Sequence, residues 1–110
     1  MRVPVDLLGR WRITWMELWE SDDLDLLAPA FITFDEDGGG KFTFIAVVGS
    51  LHGAYRICEG LPGMDFTWAG ADECDPASGD GWAAIQPDGT LAGHIRFQAG
   101  DESDFLARKW

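Results

Sequence analysis

GRWRITWMELW, residues 9–19, places three of the chain's six tryptophans at Trp11, Trp15 and Trp19. A spacing of four suits the buried stripe of a helix, or alternate inward positions along a long strand. The sequence beyond it decides between them. AFITF carries Ile32 and Phe34 two apart, DEDGGG (Asp35 to Gly40) supplies residues that tolerate the positive φ of a hairpin turn, and KFTFIAVV resumes with Phe42, Phe44 and Ala46. The same alternation runs through SLHGAYRICE, MDFTWAG, GWAAIQ, LAGHIRFQ and DFLARKW, separated by GLPG, ADECDPASGD, PDGT and AGDES. Against an amphipathic helix over Trp11 to Glu20 stand the β-favouring WRITW and the lack of a capping residue ahead of it.

Counting from the tryptophan segment, the chain offers eight strand candidates with short links, which is the pattern of an antiparallel up-and-down meander. Each strand has one greasy parity, and there are no helices to cover it, so the sheet closes into a small all-β barrel in preference to a sandwich. SDDLDLLAP supplies one short helical turn near 21–28, with Ser21 or Asp22 as its cap, to cover an open end. On the first strand Trp11, Ile13, Trp15, Glu17 and Trp19 share one side; a bulge near Met16 to Leu18 is expected, because Glu17 would otherwise sit among tryptophans.

The 110 residues, 46% apolar and 13% aromatic, make one domain spanning 1–110. The net charge is −11, with 4 basic against 9 acidic residues over 1–55 and 4 against 10 over 56–110. The acidity is therefore spread along the chain, keeping an aromatic-rich domain soluble and leaving no footprint for nucleic acid or an anionic membrane. No apolar run has the length of a signal peptide or a membrane span, and Cys58 and Cys74 lack the spacing of a zinc site, so a cytoplasmic protein with reduced thiols is expected.

A Gly-x-Trp at the start of the first strand of such a barrel, here Gly9-Arg10-Trp11, resembles the signature of the calycins, the lipocalin, fatty-acid-binding and avidin-type barrels. The resemblance implies a calycin-like fold, with Arg108 as the late arginine that packs across Trp11, and a small apolar ligand carried inside. PAFITFDEDGGGKFTF and GDGWA are also similar to a group of short bacterial proteins of unassigned function.

The residues themselves suggest three places for chemistry. A pocket in the barrel interior would be lined by Trp11, Trp15, Phe44, Tyr55, Trp68 and Trp82, with Gly53, Ala84 and Gly93 leaving room, unless these rings simply fill the core. The polar parity of the middle strands carries His52, Arg56 and Cys58, then Asp65 and Thr67, then His94 and Arg96; with Glu17 these could supply acid–base groups, or form cross-strand ion pairs on a solvated face. Asp72, Glu73, Asp75 and Asp80 gather oxygen ligands without EF-hand spacing, and no metal is expected.

The third place is the outer surface, where Met16, Leu18, Trp19 and Trp110 exceed what the interior can hold and would form an interface, unless the SDDLDLL segment covers them. The expected function is a binding or protein-interaction module that self-associates as a homodimer, with a different protein partner second. The alternative is the calycin-like carrier of a small apolar ligand. Since nucleophile, base and orienter cannot be assembled from the sequence, an enzyme comes last and no cofactor is expected.

Overall fold

Alternation and tight turns produce strands β1 (Gly9–Met16), β2 (Phe31–Phe34), β3 (Gly39–Phe44), β4 (Val47–Cys58), β5 (Leu61–Asp72), β6 (Asp75–Ile85), β7 (Leu91–Phe97) and β8 (Glu102–Lys109), with one helical turn, α1 (Ser21–Leu24). The computed structural model describes residues 3–98 and 100–110. Each strand pairs antiparallel with the next, and β8 pairs back onto β1, so the eight-stranded meander closes into a barrel. The helical turn ends at Leu24, short of the expected residue 28, and its N-cap is Glu20. Beyond it, Asp25 accepts from both Nη atoms of Arg12, at 2.8 and 2.6 Å, and from the Ala30 amide at 2.9 Å. The hydrogen bonds from Arg12 and then from Ala30 lower the Asp25 pKa from 3.8 to about 2 and tie the crossover segment to β1.

Several details differ from the sequence reading: β1 ends at Met16 and not at Trp19, β5 starts at Leu61 inside the expected GLPG link, and three further differences have a visible cause. The β3–β4 turn falls at Ile45 and Ala46, so Val47 to Gly49 begin β4. Ile45 takes φ 56°, and its amide donates to Leu24 O at 2.7 Å, a tertiary contact that holds a β-branched residue in a conformation it disfavours. The acidic loop contracts to a turn at Glu73 and Cys74, because β5 and β6 pair all the way from Gly63↔Ala84 to Asp72↔Asp75. In β1, Ile13 pairs with Ala107 and Trp15 with Leu106, so the bulge lies at Thr14, earlier than the expected Met16 to Leu18.

How so many rings fit inside is explained by glycine. Phe42 pairs with Gly49, Phe66 with Gly53 on one side and Gly81 on the other, Trp68 with Gly79, and Phe105 with Gly93. Each inward ring thus lies over a neighbour without a side chain. A Cβ on Gly49 would stand 2.7 Å from Phe42 Cζ, one on Gly81 2.8 Å from Phe66 Cζ, and one on Gly93 2.5 Å from Phe105 Cζ. The rings then pack on one another: Phe42 and Trp68 at 5.1 Å between centroids, Phe42 and Phe44 at 5.8 Å, Phe34 and Phe66 at 6.4 Å. Trp68 Nε1 is buried without a hydrogen-bond acceptor among the described residues. It lies beside Gly79, whose partner Phe97 stands perpendicular to the indole at 5.1 Å between centroids.

The two mouths are closed as well. Val3 and Leu7 are buried over one end, where the Trp11 indole donates to Leu7 O at 3.0 Å. Gly9 takes φ +98° to enter the barrel there. The cation over the Trp11 ring is Lys109, with Nζ 4.7 Å from the centroid and hydrogen-bonded to Leu8 O. Arg108 pairs with Arg12 and is exposed, so the expected packing of Arg108 on Trp11 is replaced by its neighbour on the opposite parity. At the other end Leu24 is buried and Trp19 packs on Phe44 and Phe97 at 5.3 and 6.4 Å.

Candidate functional site

The six residues expected to line an interior pocket do not share one. Trp11, Phe44 and Trp68 are buried in the core, and Tyr55 is half-buried against it. Trp15 and Trp82 point outward, 41% and 40% exposed. The Thr14 bulge turns Trp15 out and Met16 in, which also moves Met16 from the expected interface to full burial. Trp82 faces solvent because its inward neighbours are Gly81 and Ala83, small residues that leave the space to Phe66. The expected interface set disperses likewise. Leu18 is exposed, Trp19 plugs a barrel mouth, and Trp110 rests on Phe31 at 6.2 Å with the Arg10 and Arg12 guanidinium groups over its ring.

What the register does assemble is a site on the outside. One outward row runs His52–Thr67–Asp80–Arg96–Glu102 across β4 to β8, and the next runs Ala54–Asp65–Trp82–His94–Asp104. Between them lies a cleft of about 770 Å³. Gly53, Ala54 and Gly81 put little or no side chain into it, and the rest of its lining is His52, Asp65, Phe66, Thr67, Asp80, Trp82, His94 and Arg96. Both histidines therefore reach one cleft, although their positions in the sequence place nothing together. The polar parity was legible on β4, β5 and β7; Asp80 and Trp82 on β6 were the missing members.

The charged walls are braced across strands. Arg96 holds Asp80 in a two-point contact, Nε to Oδ1 at 2.9 Å and Nη2 to Oδ2 at 3.1 Å, and this hydrogen bonding lowers the Asp80 pKa. Arg56 pairs with Asp65. His94 stands between two carboxylates, Nδ1 to Asp104 at 2.7 Å and Nε2 to Glu102 at 2.9 Å. With an acceptor on each ring nitrogen, both contacts are satisfied together only by the imidazolium. Among the described residues no group of His, Cys, Asp and Glu has the arrangement of a metal site.

Burial opposes the charge on His94, but the hydrogen bonds to Asp104 and then Glu102 outweigh it, so its pKa lies above the ordinary 6.5. A pKa raised on folding adds stability that is full below the unfolded value and is lost as pH rises through the folded one. Urea midpoints are therefore expected to fall as pH increases from about 6.5, and His94→Gln is expected to flatten that slope. Equal slopes in the two proteins would show that the bracketed histidine is not charged.

Beside the cleft a third row runs Arg56–Gly63–Ala84–Ala92–Leu106–Trp15, apolar from Gly63 onward, with Ala84 buried. Leu106 is 44% exposed next to Trp15, so the large exposed apolar groups of β1 and β8 meet here, away from Met16 and Trp19. Comparison with protein-family models, with curated proteins and with solved structures gives no match to this chain.

Proposed function

We propose that this protein is a binding module that recognises its target on the outer face of β4 to β8, with the barrel interior serving as core. The observation that carries this reading is the division of the tryptophans: Trp11 and Trp68 are packed inside, whereas Trp82 is held half-open in a cleft of preorganised polar groups. A calycin-like architecture is part of the proposal, supported by Gly9, Trp11 and the cation of Lys109 on the indole. A calycin-like carrier of an apolar ligand has less support, since the rings it would need to hold apart rest on one another and on glycines. The acidic surface and the two free thiols favour a cytoplasmic setting and a partner other than nucleic acid or an anionic membrane.

Amide-resolved NMR with a library of small polar and aromatic fragments tests this reading. Binding fragments are expected to perturb His52, Thr67, Asp80, Trp82 and His94. Perturbations confined to Ile32, Phe42 and Trp68 would overturn it in favour of the carrier.

A second reading, self-association as a homodimer, is favoured by Leu106 and Trp15, paired across β8 and β1 and both exposed, because exposed apolar groups side by side mark contact surfaces. Sedimentation equilibrium is expected to give a mass that rises with concentration, and Leu106→Glu to return it to the monomer with an unchanged circular dichroism spectrum. A monomer mass for the unaltered chain at every concentration would sink the reading.

A further inference from the structure

We infer that the outer cleft takes a neutral, hydroxyl-rich ring, a sugar residue of a glycan, stacked on Trp82 and held by the flanking ion pairs. This rests on the outer face being the recognition surface. The first argument is shape and polarity. A sugar ring carries an apolar C–H face with hydroxyls around its rim, and the cleft offers the complement: the exposed indole of Trp82, ringed in register by Asp65, Asp80, His94 and Arg96. Its volume of about 770 Å³ is within the range of small-molecule sites and exceeds what a single small ion needs.

The second argument is charge. The cations Arg56, Arg96 and the bracketed His94 face the carboxylates Asp65, Asp80, Glu102 and Asp104, and every one of these groups already has a partner of opposite sign. An anion would enter between Asp65 and Asp80, with Glu102 and Asp104 behind His94, on a chain of net charge −11. A cation would have to displace Arg56, Arg96 or His94 from a formed pair. Hydroxyl groups need do neither. Arg96 Nη1, Asp65 Oδ1 and the His52 imidazole keep hydrogen-bonding capacity free among the described residues, and a hydroxyl can accept from Arg96 Nη1 and donate to Asp65 Oδ1.

The third argument is order. Arg96 is held in a two-point contact with Asp80, and Asp65 pairs with Arg56, so two of the three groups that would meet the hydroxyls are positioned before a ligand arrives. Binding then costs little side-chain freedom, which is what lets a weakly attracting neutral ligand be held at all.

The test follows the indole N–H signals of the six tryptophans by NMR, with Trp82 assigned from Trp82→Phe. The probes are oligomers of glucose, galactose, mannose and N-acetylglucosamine at millimolar concentration, with tetraethylammonium and citrate as charged comparators. At least one glycan is expected to shift the Trp82 signal while Trp11 and Trp68 stay in place. Trp82→Ala is expected to weaken that binding by about tenfold or more, Trp82→Phe by less, and Asp80→Asn to weaken it without changing signal dispersion. A Trp82 shift caused only by a charged comparator, or only by aromatic fragments, overturns the sugar assignment and leaves the outer-face reading standing. A Trp82 signal that no ligand moves, while fragments bind elsewhere, overturns both.

Discussion

Replacing Phe66 by alanine is expected to destabilise the protein by about 4 kcal/mol, toward the upper part of the range for buried aromatic truncations. Phe66 is 4% exposed, and its cross-strand neighbours on both sides, Gly53 and Gly81, have no side chain. The cost of a large-to-small change depends on how far the surroundings collapse into the void, and here the two nearest positions have nothing to move. Phe34, 6.4 Å away between ring centroids, packs on Phe66 from across the barrel. Against a total stability of about 5–15 kcal/mol for a small domain, the loss would place the variant near its folding threshold at ambient temperature. Urea unfolding of the two proteins measures it, with Ile57→Ala, at a 55% exposed position near the end of β4, as the control expected within about 0.5 kcal/mol of the parent. A loss below about 1.5 kcal/mol for Phe66→Ala would mean that the glycine-flanked space refills, and that the pairing of rings with glycines is not what sets the packing.

That pairing also explains which parts of the molecule could be read from the sequence. Where a turn is made by residues that tolerate positive φ, the boundary was legible: Asp35 to Gly39 and Gln86 to Thr90 close their hairpins with the backbone hydrogen bonds their composition implies. Where a turn is imposed by distant contacts, as at Ile45, no local residue announces it. Facing was legible on strands whose large apolar residues share one parity, such as β3 with Phe42 and Phe44 and β7 with Leu91, Ile95 and Phe97. On β6 it was misread, because Trp82 was assigned to the interior for its hydrophobicity. The usable signal was the small series Gly79, Gly81, Ala83, which leaves room for Met64, Phe66 and Trp68 on the neighbouring strand. Trp15 could not be placed without knowing that β1 bulges at Thr14, a matter of register against β8 at the far end of the chain. The outer cleft was half legible, since polar parity on β4, β5 and β7 is local, but its centre is the misplaced Trp82.

Gly49→Ala tests the same packing from the opposite side, by adding one carbon where none fits. The new Cβ would stand 2.7 and 2.8 Å from Phe42 Cζ and Cε2 and 3.1 Å from Trp68 Cε3. At Gly53, Gly79, Gly81 and Gly93 an added Cβ also strikes a backbone oxygen of the adjacent strand, whereas at Gly49 the three nearest atoms all belong to aromatic side chains. The clash there is therefore a side-chain clash alone, and shortening the offending ring should relieve it. Gly49→Ala is expected to cost about 2 kcal/mol, as overpacking a filled core does. Phe42→Leu alone is expected to cost about 1–2 kcal/mol through lost contacts with Trp68 and Phe44. Because the two changes meet at one point, the double variant is expected to be more stable than the sum of the single losses predicts, by about 1 kcal/mol. Denaturant midpoints of all four proteins supply this coupling energy. Additive losses would mean that Phe42 swings aside for the new methyl group, so that the ring's position over Gly49 is a preference of the folded barrel and not a constraint on it.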